Sequence, residues 1–92
     1  MNQREAIATY RIQLTPSFGF AATIGVLDHL VRLGVSHLYL SPIAEAVPGS
    51  LHGYDVIDHT RVRSEFGGDD GLTALLDAAG AQGLGVIVDH VP

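Results

Sequence analysis

The sequence predicts an α/β fold of parallel strands, part of a (β/α)8 barrel, and three observations carry that prediction. Short apolar runs alternate with segments of helical period, the pattern of parallel strands joined by crossover connections. The turns that lead into strands are tight, as at Leu33–Val35 and Gln82–Leu84. The segment that leaves the second strand is long, running 28 residues from Ser41 to Gly68. Structureless loops beyond about 15 residues are uncommon unless functional. Long loops after strands and short ones before them match a barrel, whose site lies at the C-terminal strand ends.

The elements follow in order. Ala6 to Leu14 places Ile7, Tyr10, Ile12 and Leu14 in a partial period of two, and Pro16 closes it, so a first strand is expected over 6–14. Phe20, Ile24, Leu27 and Val31 recur at spacings of four, three and four, one face of a helix over 20–33. Gly34 suits its C-terminus. Val35 to Leu40 is short and mostly apolar, and Ser41-Pro42 ends it, which fits a buried parallel strand over 35–40.

A second helix is expected over 69–82, with Asp69 or Asp70 as its cap and Leu72, Leu75, Leu76 and Ala79 on its inner face. The run 84–89, Leu-Gly-Val-Ile-Val-Asp, reads as a third buried strand ending in a carboxylate. A doubly wound dinucleotide fold is disfavoured: Gly83-Leu84-Gly85 precedes a strand instead of opening a helix, so it is no phosphate loop.

Ninety-two residues make one small domain, well short of the roughly 250 of a whole barrel. With 47% hydrophobic and 16% charged residues, the chain has a core-forming composition. The net charge is −5, and the five cationic residues are arginines scattered at positions 4, 11, 32, 61 and 63. No basic stripe is available to neutralise phosphates, so no nucleic-acid partner is expected. The absence of cysteine excludes disulfides and thiolate metal sites. Met1 to Thr9 is polar and does not look like a secretory signal. No apolar run approaches the roughly 20 residues that span a bilayer. A cytoplasmic protein without a membrane partner is the expectation.

The densest polar cluster is His52-Gly53-Tyr54-Asp55-Val56-Ile57-Asp58-His59, in a segment without clear helical or strand periodicity. Loops carry function more often than packing. The Tyr54 ring suits stacking on the apolar C–H face of a sugar, and it suits loop packing equally well. Asp55 and Asp58 can bind hydroxyls or accept local backbone N–H bonds in turns, and for Asp58 the structural role is favoured. His52, Asp55, Asp58 and His59 include donor types of zinc or iron sites, but their spacing matches no strong motif. No metal and no cofactor is expected. His29 and His37 read as scaffold residues. Asp89, ending an apolar strand, needs a partner or solvent.

Four stretches carry a family resemblance. They are Tyr10-Arg11-Ile12-Gln13-Leu14, the run from Leu33 to Pro42, the run from Pro48 to His59, and the run from Gly83 to Pro92. Together they resemble the maltooligosyltrehalose synthases, a family within the α-amylase superfamily of glycoside hydrolases and transglycosidases. The resemblance extends from about Ala8 to Pro92. It implies that Tyr54 stacks on the glucose at the cleavage subsite and that Asp55 lies beside it. His52 joins them in binding substrate, Gln13 lines the pocket floor, and Asp58 organises the loop. Asp89 matches the aspartate that opens the superfamily's first signature region, and His90 falls at a variable position in it.

The same resemblance implies that the chain is the N-terminal part of a catalytic barrel, about three βα units. The nucleophile and the acid/base would lie beyond Pro92, so no catalytic residue is expected here and the 92 residues alone are expected to be inactive. Retaining glycoside transfer needs two carboxyl groups about 5 Å apart, and Asp55 and Asp58 sit too close together on one loop to be given those roles. The implied activity is an intramolecular transfer that converts the reducing-end α-1,4 linkage of a maltooligosaccharide into an α,α-1,1 trehalosyl linkage. A functional link to a trehalose-releasing hydrolase is implied with it. Another superfamily hydrolase, such as an α-amylase or α-glucosidase, and a non-catalytic carbohydrate-binding fragment remain alternatives.

Overall fold

The computed structural model describes residues 7–92. The polar N-terminal stretch up to position 6, where the first strand was expected to start, lies outside the described residues.

Three strands form a parallel sheet: β1 (Thr9–Ile12), β2 (His37–Leu40) and β5 (Gly85–Val88), in the order β1-β2-β5. Each strand is laid beside its predecessor, with no reversal of order. That is how a barrel grows, whereas a doubly wound sheet reverses at a switch point. In register, Arg11 lies opposite Tyr39 and Tyr39 opposite Ile87, a row on one face of the sheet. The next row, Ile12, Leu40 and Val88, belongs to the other face.

The helices cover that second face. Ile12, Leu14, Leu38 and Leu40 are buried there with Phe20, Leu27, Leu30, Leu75, Ala79 and Leu84. The helix expected over 20–33 is divided. α1 (Phe20–Ile24) and α2 (Leu27–Arg32) meet at Gly25-Val26, where the Val26 N–H bonds back three residues to the Thr23 carbonyl at 3.1 Å. A glycine in the interior permits such a kink. The break rotates the buried face: Thr23 and Leu30 are buried where Ile24 and Val31 were expected to lead. The Thr23 hydroxyl is satisfied by donating to the Gly19 carbonyl at 2.9 Å.

α2 and α3 (Gly68–Ala81) end alike. After α2, Val35 N–H bonds to Leu30 O (3.1 Å) and Gly34 N–H to Val31 O (3.0 Å). After α3, Leu84 N–H bonds to Ala79 O (2.9 Å) and Gly83 N–H to Gly80 O (3.1 Å). Both are Schellman endings, which need a residue at positive φ; Gly34 (φ 90°) and Gly83 (φ 75°) provide it. Each ending turns the chain directly into a strand, which explains the tight turns seen in the sequence.

Three expectations are corrected. Asp69 and Asp70 lie in the first turn of α3 and do not cap it; Gly67 occupies the cap position, without a side-chain bond. Leu76 is 44% exposed, off the inner face. β5 is not a buried strand, since Ile87 and Val88 are 45% and 37% exposed. Among the described residues β5 pairs only with β2, so its other edge is unpaired.

The long segment after β2 is also more ordered than its sequence suggested. It contains an antiparallel pair, β3 (Ala44–Ala46) and β4 (Val56–Val62), followed by a 3₁₀ turn at Ser64–Phe66. The strand went unread because its exposed residues include Ile57, His59, Thr60 and Arg61, which blur any alternation. Phe66 ties this segment to the core by an edge-to-face contact with Phe20, centroids 5.9 Å apart.

Candidate functional site

The site forms where β1 and β5 end. Gln13 follows β1, Asp89 follows β5, and the loop from Val47 to Asp55 folds over both. Tyr54 stands at the centre, 44% exposed, with its hydroxyl held on two sides. Arg11 Nη2 donates to it at 3.0 Å, and it donates to Asp89 Oδ2 at 2.6 Å. The Asp89 carboxylate therefore finds its partner in Tyr54. The Arg11 guanidinium also lies over the Tyr39 ring, 5.6 Å from its centroid, and reaches Gln13 Oε1 at 3.2 Å.

Gln13 is a brace. Its amide Nε2 donates to the carbonyls of Leu51 and His52, both at 3.2 Å. The backbone N–H of Tyr54 donates to His52 Nδ1 at 2.9 Å, and the two rings lie nearly parallel with centroids 6.0 Å apart. Tyr54 is thus constrained at its backbone, at its hydroxyl and along one ring neighbour. An aromatic ring held this way has already lost the side-chain freedom that binding would otherwise remove.

Gly53 permits the turn that lifts Tyr54. It has φ 79°, and a Cβ there would lie 3.3 Å from the Pro42 carbonyl. A side chain would be strained in conformation and crowded by backbone.

Asp55 is bonded within its own loop. Its Oδ1 accepts from the Ser50 hydroxyl at 2.6 Å, which chiefly holds the carboxyl below the usual carboxylate range. Asp58 lies in β4, where Oδ1 accepts from the Thr60 hydroxyl (2.6 Å) and N–H (2.9 Å). Those two bonds lower its pKa as well. The structure therefore brings together Gln13, His52, Tyr54 and Asp89, and leaves Asp55 and Asp58 in local contacts beside them. Among the described residues no group of three or more His, Asp or Glu side chains is placed to hold a metal ion.

A cleft of about 290 Å³ adjoins the group between the β3–β4 pair and the end of β5, bordered by Ile43, Val56, His59, Arg61 and Asp89 among others. His59 Nε2 lies 2.9 Å from the Val91 carbonyl across it. Among the described residues no helix is long and apolar enough to cross a membrane.

Arg11 was missed as a member of the group. A signal was present, since Arg11 and Gln13 are two apart in the segment expected to be a strand, a spacing that puts them on one face. Composition had described the arginines as scattered, yet Arg11 and Arg63 are each the hub of a hydrogen-bond network.

The α-amylase catalytic-domain model matches residues 20–92. The chain belongs to the α-amylase family. It is 55% identical, over 94% of its length, to a putative maltooligosyl trehalose synthase of Mycobacterium tuberculosis. It is 37% identical, over 96% of its length, to the 1,4-alpha-glucan branching enzyme GlgB of Mycobacterium bovis. Among solved structures, a glycosyltrehalose synthase superposes with a TM-score of 0.92 at 53% identity, over 95% of this chain. The chain spans 12% of the synthase sequence, 13% of the branching enzyme and 12% of the solved synthase chain. That likeness makes its strands and helices part of an α-amylase-type barrel.

Proposed function

We propose that this chain supplies the opening βα units, and one wall of the sugar pocket, of an intramolecular transglucosylase. The enzyme would convert the reducing-end α-1,4 linkage of a maltooligosaccharide to an α,α-1,1 linkage. The observation that carries the reading is the identity to the M. tuberculosis synthase, 55% against 37% to the branching enzyme over the same stretch.

The site geometry supports the same chemistry. Tyr54 is the platform for the sugar ring, fixed by Arg11 and Asp89. Gln13 and His52 shape the wall beside it, while Asp55 and Asp58 hold the loop. The reacting carboxylates belong to other parts of the barrel, and a trehalose-releasing hydrolase would consume the product. The test is to incubate the full enzyme that carries this segment with maltopentaose. A product with a non-reducing trehalosyl end is expected; release of free maltose or branched glucan instead would overturn the reading.

A further inference from the structure

Arg63 has no role in the site as described, yet it is completely buried. A charge taken out of water must be paired and hydrogen-bonded. Nη2 donates to Glu65 Oε1 at 2.6 Å and to the Ser50 carbonyl at 2.8 Å, and Nε donates to the same Glu65 oxygen at 3.0 Å. The guanidinium carbon sits 4.6 Å from the centre of the Phe66 ring. Nη1 is buried without a partner among the described residues. An apolar side chain of similar volume is often as stabilising as a buried ion pair, and an unpaired N–H weakens the case for stability further. What Arg63 provides is position.

The contacts run to the two residues that flank Tyr54. Arg63 holds the Ser50 carbonyl, and the Ser50 hydroxyl accepts from Gly53 N–H (3.1 Å) while donating to Asp55 (2.6 Å). Gly53 and Asp55 are the two neighbours of Tyr54 in the chain. Glu65, the counter-ion, accepts from Gly49 N–H at the start of the same loop, at 3.1 and 3.2 Å. The loop has no regular secondary structure between Ser50 and Asp55, and Leu51 at its centre is 68% exposed. Apolar burial does not hold it in place.

We propose that Arg63, acting through Ser50, is the positioning residue that fixes the Tyr54 ring for sugar stacking. The proposal rests on the functional reading above for what the ring does, but the clamp itself can be tested without it.

The test uses the full enzyme with Arg63→Met, which keeps the packing on Phe66 and removes the donor fork. Hydrogen exchange in the ligand-free variant should quicken over residues 49–55 and stay unchanged at β2. With maltopentaose, kcat/KM should fall on the order of ten-fold, mostly through KM, because stacking is made in the ground state too. Arg63→Lys, which restores the charge but not the fork, should recover part of the loss. In a Tyr54→Ala background the same Arg63→Met change should cost less than about two-fold more, since both act through one ring. Should Arg63→Met fail to fold, Glu65→Gln, at a side chain 32% exposed, is expected to loosen the same segment. Unchanged exchange over 49–55 in a folded variant would overturn the clamp, as would full additivity with Tyr54→Ala. A wild-type enzyme inert toward maltopentaose would sink the functional reading, and the exchange result would still decide the clamp.

Discussion

The sheet with its helices and the β3–β4 excursion hold themselves together differently. The first is an apolar layer: Leu38 and Leu40 are fully buried between neighbouring strands and under α1, α2 and α3. The second is held largely by polar contacts, with Arg63, Glu65, Ser50 and Asp55 in one connected set. Hydrophobic burial is non-directional and tolerates small shifts of the contacting groups. Hydrogen bonds prescribe a geometry, and a platform aimed at a ligand needs geometry more than it needs bulk stability. The molecule places its apolar layer where the barrel must stand and its polar network where a ring must point.

The largest effect is expected at the core. Leu38→Ala in the full enzyme should destabilise the barrel by about 2–5 kcal/mol, read from the denaturant midpoint of its unfolding. Leu76→Ala, on a side chain 44% exposed, should cost clearly less. Equal costs would mean that the sheet layer is not the main support.

The next effect is on activity. Tyr54→Ala should remove about 1–3 kcal/mol of sugar binding, by analogy with base–aromatic stacking, and lower kcat/KM accordingly. Tyr54→Phe keeps the ring and loses only the bonds to Arg11 and Asp89, so its loss should be smaller. If Phe proves as damaging as Ala, the hydroxyl is the working group and the platform assignment fails.

Acid should separate the two regions. Asp55, Asp58 and Glu65 all have depressed pKa values: Ser50 is the main cause for Asp55, the Thr60 hydroxyl for Asp58, and Arg63 for Glu65. A carboxyl whose folded pKa is lowered stabilises the fold above its unfolded pKa. That contribution is lost as pH falls through the folded value. Below the ordinary carboxylate range of about 4, amide exchange over 49–62 should therefore quicken before that of β2 does. Simultaneous loosening would show that the polar set is not an independent support.

The smallest effect is expected at the surface. Arg32 and Asp28 form an i,i+4 pair at 2.6 Å with side chains 73% and 71% exposed. Arg32→Ala should cost about 0.3–0.5 kcal/mol and leave kcat/KM unchanged. A larger effect on activity would tie this helix face to the site.

Much of the apolar layer was legible from spacing alone. Gly34 marked a true helix end, and the two tight turns into strands are two copies of one Schellman motif; the first strand, expected to run to Leu14 before Pro16, ends already at Ile12. The kink at Gly25 was not legible, because Phe20, Ile24, Leu27 and Val31 fit an unbroken helix equally well. β4 was hidden by polar residues on a strand that is only partly covered. Tyr54 and Asp89 stood out as site candidates by their place in the polar loop and at a strand end, whereas Gln13 was named only through the family resemblance. Arg63 was not legible, since an arginine carries no local sign of whether it meets water or a buried carbonyl; for Arg11 the one clue was its spacing of two from Gln13.

Spacings of a few residues were enough to set the C-terminal helix endings, most of the apolar positions and the parallel strands, but not the α3 cap, the break between α1 and α2 or the exposure of Leu76. Only the tertiary structure decided that Arg11 and Asp89 would meet at the Tyr54 hydroxyl, and that Arg63 would reach Ser50. Those contacts join residues 43, 35 and 13 positions apart. Their formation depends on how the strands and the excursion are stacked in space, which no local pattern encodes.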